Sequence, residues 1–77
     1  MKVTLYTKEE CGLCEQAEEM LRRLQRVIQF DLHFVDISTD SLAHERYWDR
    51  IPVVVVDGRE LAAAPIDEAR LKAALAR

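Results

Sequence analysis

Cys11 and Cys14 are the only cysteines in the chain, and just Gly12 and Leu13 stand between them. A thiol attacks a disulfide as its thiolate. A close pair can therefore relay disulfides if one sulfur is held as an anion and the other waits beside it. In a helix this spacing is less than one turn. In a short chain with strand and helix patterns around it, the spacing reads as a redox dithiol. Two other readings use the same residues. The cysteines could be buried and inert, or they could be half of a metal site. Zinc and iron–sulfur centres need more than two thiolates. The chain has no second pair, so a metal site would need two chains or an external thiol.

The elements that must hold this pair are legible on both sides of it. Lys2 to Tyr6 is rich in β-branched and aromatic types, which predicts a strand in the middle of a small sheet. Thr7 to Glu10 is a polar break. From Cys11 to about Gln29, the residues Cys14, Ala17, Leu21, Leu24 and Ile28 recur at three and four positions, one stripe of a helix. Glu18–Arg22 and Glu19–Arg23 are i,i+4 pairs in the favourable order. Cys11 then falls at the helix N-terminus, where unpaired N–H groups and the positive dipole end favour a thiolate. Cys14 falls on the apolar stripe, where burial keeps a thiol protonated. Gly12 carries no side chain that would block an approaching sulfur.

Further along, Leu32 to Ile37 reads as a second strand, parallel to the first because a helix joins them. Ser38 to Ser41 offers capping oxygens. Leu42 to Arg50 reads as a short charged helix with Leu42, Ala43, Tyr47 and Trp48 as its contacts, Trp48 partly buried. Ile51-Pro52 stops it. Val53 to Val56 is an unbroken apolar run, the pattern of a strand covered on both faces. Asp57-Gly58 is a hairpin signal, and Arg59 to Ala62 is the returning edge strand. Pro65 fits the first turn of a last helix, with Asp67 and Glu68 near its start and Leu71 and Leu75 facing the core. The order is βαβαββα: a four-stranded mixed sheet with helices on both faces, in one domain over residues 1–77.

Charge narrows the partners. The net charge of −3 gives no basis for nucleic-acid or membrane binding. No apolar segment is long enough to span a bilayer, and Met1 leads almost at once into a strand, so a cytoplasmic location and a monomer are expected. Glu9, Glu10, Glu15, Glu18 and Glu19 crowd the region of the pair against one Lys8. Glu9 and Glu10 are expected to moderate the activation of Cys11 and to repel anionic partners. Arg50 could meet a substrate carboxylate. His33 and His44 are read as surface residues with no role, and Asp67 as a helix-start acid.

Three stretches together resemble a known family: Val3-Thr4-Leu5-Tyr6-Thr7-Lys8, Cys11-Gly12-Leu13-Cys14, and Ile51-Pro52-Val53-Val54-Val55-Val56-Asp57-Gly58. The chain resembles the glutaredoxin-like branch of the thioredoxin fold over nearly its whole length. The small bacterial glutaredoxin-like proteins are the nearest match, followed by the redoxins that serve ribonucleotide reductase. The resemblance implies a three-layer α/β/α fold and a thiol–disulfide oxidoreductase acting as an electron carrier. It makes Cys11 the nucleophile and Cys14 the resolving thiol. It makes Pro52 a cis-proline facing them, with the Ile51 backbone offered to substrate and Lys8 near the reactive sulfur. Gly12 and Leu13 complete the substrate-facing set. The expected partners are a disulfide-containing protein or small thiol, and a reductant that is either thioredoxin reductase or glutathione. The chain departs from the family twice. Gly12-Leu13 replaces Pro-Tyr, and Ala62-Ala63-Ala64-Pro65-Ile66-Asp67 lacks the Gly-Gly that holds the γ-glutamyl end of glutathione. No bound cofactor or metal is expected.

Overall fold

Val3 and Leu5 alternate with Thr4 and Tyr6 along the first strand, β1 (Lys2–Thr7), and the two sets face opposite layers. The structure is a computed structural model describing residues 1–77. Its elements are β1, α1 (Gly12–Leu24), β2 (Asp31–Asp36), a 3-10 turn (Ile37–Thr39), α2 (Ser41–Tyr47), β3 (Val53–Val56), β4 (Arg59–Ala63) and α3 (Glu68–Leu75). The sheet order is β2-β1-β3-β4. β1 lies parallel to β2, with Lys2 opposite Asp31 and Thr7 opposite Asp36. It lies antiparallel to β3, with Tyr6 opposite Val53 and Val3 opposite Val56. This is the mixed α/β sheet and element order read from the sequence.

The α1 stripe explains the first layer. Ala17, Leu21 and Leu24 pack with Val3, Leu5, Phe30, Val54, Leu71 and Leu75. Full burial of a side chain such as Leu21 is worth about 1.5–3 kcal/mol. On the opposite face, Ile37, Ala43 and Tyr47 close over Val53 and Val55. Val53 and Val54 are thus covered from the two sides, as an unbroken apolar run predicts.

The β3–β4 hairpin turns at Asp57 (φ 48°) and Gly58 (φ 85°), the left-handed pair that a two-residue turn requires. Asp57 also fastens the turn to β1: its Oδ1 accepts from the Lys2 N–H at 3.2 Å, and its own N–H donates to the Lys2 carbonyl at 3.1 Å. The hairpin is not regular. Val55 faces Glu60 but Val54 faces Ala62, so Leu61 is an extra residue bulged out of β4.

Several expectations need correction. α1 ends at Leu24, not near Gln29. The chain there tightens through Arg26 N–H to Arg23 C=O and Val27 N–H to Leu24 C=O. The Gln25 side chain then donates to the Phe30 carbonyl at 3.1 Å, and Phe30 enters the core ahead of the half-buried Ile28. β2 closes at Asp36, and Ile37 begins the 3-10 turn. Arg23 does not pair with Glu19. It reaches across to Glu68 on α3, with Nη2 2.7 Å from Oε1 and Nε 3.3 Å from Oε2. Pro65 lies outside α3, because Asp67 is the cap and accepts the Arg70 N–H at 3.0 Å. On α2 the inward pair is Ala43 and Tyr47, four apart. Leu42 lies one residue off that stripe and is 72% exposed. Trp48, at the C-cap, is 61% exposed and does not tuck under the helix.

Candidate active site

β1 delivers the chain to the turn Lys8–Glu10, where Glu10 takes a left-handed φ of 54°. The turn brings Cys11 to the N-cap of α1 with an extended φ of −122°. Here the sulfur does the work that a hydroxyl or carboxylate does in most helices. The Cys14 N–H donates to Cys11 Sγ at 3.2 Å. Cys14 sits in the first turn on the buried stripe and is 2% exposed, while Cys11 is partly open to solvent. The two sulfurs are joined in a disulfide, with 5.2 Å between the Cα atoms. The Glu15 N–H donates to the Cys11 carbonyl at 3.1 Å, so the helix ladder starts at this residue.

Leu13 leaves the pair sideways. It is 54% exposed and forms one end of a shallow groove of about 120 Å³. Met20, two turns further along the same face of α1, continues the first wall. Beyond α1, the two other walls are Pro52 and the stretch Ala64, Pro65 and Ile66, the last being the far wall. The peptide bonds Ile51–Pro52 and Ala64–Pro65 are both cis. No charged side chain lines this groove.

The structure joins Cys11 to Cys14 and sets Leu13, which lies between them in the chain, in one groove with Pro52. Gly12 lies between the sulfurs in open space: a Cβ built there would meet nothing within 4 Å. The fold itself therefore does not require a glycine here. Ile51 adjoins Pro52 in the chain, but its side chain packs against the second core. Lys8 is exposed in the turn, forms no ion pair and does not line the groove. His33 and His44 are exposed.

Arg50 is engaged inside the molecule, not held ready for a substrate carboxylate. Its Nη1 donates to both oxygens of Glu60, at 2.9 and 2.8 Å, and its Nη2 to the Arg46 carbonyl at 3.1 Å. Its guanidinium lies over the Tyr47 ring, 5.6 Å from the centroid. Glu60 escaped the reading of the sequence, and Ala64 and Ile66 entered it only within the stretch that lacks the Gly-Gly. Met20 carried a signal, since it shares a helix face with Leu13 and Ala17. For Glu60 the signal was indirect: a two-residue turn at Asp57-Gly58 sets it opposite Val55.

A second, more polar hollow lies on the α2 side, bordered by Tyr6, Asp40, Leu42, Arg46 and Tyr47. The two tyrosine rings are 4.5 Å apart. Burial first, then the neighbouring Tyr47 and Asp40, pushes the Tyr6 hydroxyl above the usual tyrosine value. No set of three or more His, Cys, Asp or Glu groups is placed to hold a metal ion.

A strand-to-helix junction carrying two cysteines, with a cis-proline just ahead of an antiparallel strand, is a pattern that can be compared across proteins. Residues 2–76 match the model of the glutaredoxin-like domain (DUF836). The chain belongs to the glutaredoxin-like domain family. This chain is 33% identical over 81 aligned residues to the uncharacterized protein Rv0508 of Mycobacterium tuberculosis, covering 99% of this chain and 84% of the relative. The solution structure of protein Ne2328 from Nitrosomonas europaea is similar at a TM-score of 0.83 and 32% identity, covering 96% of this chain and 89% of that one. Thioredoxin 1 from Thermosipho africanus superposes at a TM-score of 0.76 with 12% identity, covering 100% of this chain and 92% of that one. That last likeness establishes the thioredoxin-like fold alone. In this glutaredoxin-like domain the paired cysteines point to thiol redox chemistry. No helix is long and apolar enough to cross a membrane.

Proposed function

We propose that this glutaredoxin-like domain is a thiol–disulfide oxidoreductase that reduces disulfides through Cys11 and Cys14. The observation that carries the reading is the Cys14 N–H donating to Cys11 Sγ at the mouth of α1. A thiolate accepts that hydrogen bond better than a thiol does, and the helix terminus adds its positive end. In the reduced protein, Cys11 thiolate attacks one sulfur of the substrate disulfide. The substrate S–S bond breaks, one substrate thiolate leaves and takes a proton, and Cys11 is left in a mixed disulfide. Cys14 then gives up its proton and attacks Cys11 Sγ, and the second substrate sulfur leaves as a thiol. Two electrons and two protons have passed to the substrate, and the protein ends as the Cys11–Cys14 disulfide. A thiol or a flavoprotein reductase must restore the dithiol.

The substrate favoured by the groove is a protein disulfide rather than glutathione. Leu13, Met20, Pro65 and Ile66 offer apolar surface and no cation for a γ-glutamyl carboxylate, and Pro65 lacks an N–H. Glu9 and Glu10 add negative charge beside the reactive sulfur. Reduction by thioredoxin reductase is accordingly preferred over reduction by glutathione, and Lys8, Gly12, Ile51 and Pro52 serve as substrate-facing positions. Coupled assays with each reducing system, on wild type, Cys11→Ser and Cys14→Ser, test the reading. Cys11→Ser is expected to abolish disulfide reduction, and retained activity would refute the role of Cys11. Faster turnover with glutathione than with thioredoxin reductase would reverse the choice of reductant. Iron or zinc in the protein as purified anaerobically would favour a metal-sharing dimer instead.

A further inference from the structure

We propose that Arg50, gripped by Glu60, is a positioning residue that holds the two walls of the groove beside the Cys11–Cys14 pair in register. The inference rests on disulfide exchange occurring at that groove. One wall is Pro52, two residues after Arg50. The other is Ala64 to Ile66, which begins four residues after Glu60. A single backbone N–H ties the walls together. The Ala64 amide donates to the Pro52 carbonyl at 3.0 Å and to the Arg50 carbonyl at 3.3 Å. Arg50 therefore touches the junction through its backbone and braces it through its side chain. The guanidinium locks onto Glu60 with two bonds from Nη1. It also bonds the Arg46 carbonyl at the end of α2, and the Arg50 N–H donates to the Tyr47 carbonyl at 2.9 Å. Three segments converge on one residue: the end of α2, the approach to β3, and β4.

Stability alone gives little reason for such an arrangement. The Arg50 and Glu60 side chains keep 44% and 35% of their exposure, and ion pairs of that kind add little to folding. Geometry is what the pair supplies. A planar fork binding one carboxylate and one carbonyl fixes direction as well as distance, and a lysine ammonium cannot reproduce it. Glu60 faces Val55 on the α2 side of the sheet, and the Leu61 bulge sits between it and Ala64. Bulge, ion pair and shared amide form one brace.

The test uses the full chain with Arg50→Lys, Glu60→Gln and the exchanged pair Arg50→Glu/Glu60→Arg. Two quantities are read: steady-state reduction of insulin disulfides with dithiothreitol as electron source, and hydrogen exchange of the Ala64 amide. Each single variant is expected to raise KM about three- to tenfold with kcat held within about twofold. The Ala64 amide should exchange faster by a comparable factor while the thermal midpoint moves little. The exchanged pair should recover part of both. Unchanged KM and unchanged Ala64 exchange in the single variants would overturn the proposal. A KM change that only follows a falling thermal midpoint would also overturn it. If wild type reduces no disulfide, the proposed function fails instead, and Ala64 exchange still decides whether Arg50 holds the walls.

Discussion

The backbone N–H of Cys14 points at the sulfur of Cys11 across 3.2 Å, so one cysteine caps the helix turn that contains the other. The contact uses the disulfide sulfur as its acceptor, and after reduction a thiolate accepts it more strongly than a thiol. In a Cys14→Ser variant the same N–H remains. Iodoacetamide labelling of Cys11 in that variant should reach half its maximal rate at a pH below about 8.5, the free-cysteine value. In Cys11→Ser, the buried Cys14 should label slowly throughout that range. Mass spectrometry of timed aliquots reads both.

Glu9 and Glu10 lie in the turn that leads into Cys11, and both are exposed. Like charge disfavours the thiolate, and solvent weakens the effect. Glu9→Gln/Glu10→Gln in the Cys14→Ser background should move the labelling midpoint to lower pH. The shift should shrink in 1 M salt, where the screening length is about 3 Å. An unmoved midpoint at low salt would remove these residues from the account.

Leu13 is exposed yet forms the mouth of the groove. Leu13→Asp should change folding stability by no more than about 0.5 kcal/mol, as for other surface substitutions. It should still raise KM for a protein disulfide, with less effect on bis(2-hydroxyethyl) disulfide, which is too small to need the groove. Urea denaturation and the two activity assays separate these effects.

The core and the surface of the helices should respond differently to truncation. Leu21 is fully buried in the α1 layer, so Leu21→Ala should cost about 2–5 kcal/mol. Leu42→Ala should cost about 0.5 kcal/mol or less, because that side chain stands in solvent. Chemical denaturation midpoints at matched slopes provide the comparison.

Acid should loosen the link between α1 and α3. Hydrogen bonds from Arg23 hold the Glu68 carboxyl below the usual glutamate value. A carboxylate with a lowered folded-state pKa contributes above its unfolded value and loses that contribution as pH falls through the folded one. Ser38 hydroxyl and N–H donors do the same for Asp36. Thermal midpoints should therefore fall from just above the ordinary carboxylate range downward. Glu68→Gln should fall less steeply over that window and should match wild type more closely at its acid end.

Periodicity was enough to read the cysteines, the stripe on α1, the hairpin and the order of elements, because burial on one face imposes 3.6- and 2-residue repeats directly on residue types. Leu42 and Trp48 show where the method stops. Both are apolar, but α2 is so short that only one i,i+4 pair, Ala43 and Tyr47, can face the sheet. Phe30 lies beyond the helix pattern and is drawn into the core by a loop that Gln25 closes. The brace around Arg50 was invisible for another reason. Its members come from residues 46, 50, 60 and 64, which no repeat of 2 or 3.6 residues links. The far wall of the groove, Ala64 to Ile66, was marked in the sequence only as the stretch that lacks a Gly-Gly.

The bulge at Leu61 also bears on how copies of the chain meet. β4 is a sheet edge, and an edge with a regular run of free backbone groups invites a strand from another molecule. The extra residue breaks that run and twists the edge away from a flat template. The other edge, β2, carries Asp31 and Asp36 at its two ends. An antiparallel pairing of two copies along β2 would set Asp31 of one against Asp36 of the next. One edge is misshapen and the other repels its own image, so strand-by-strand growth into fibres is discouraged at both borders of the sheet.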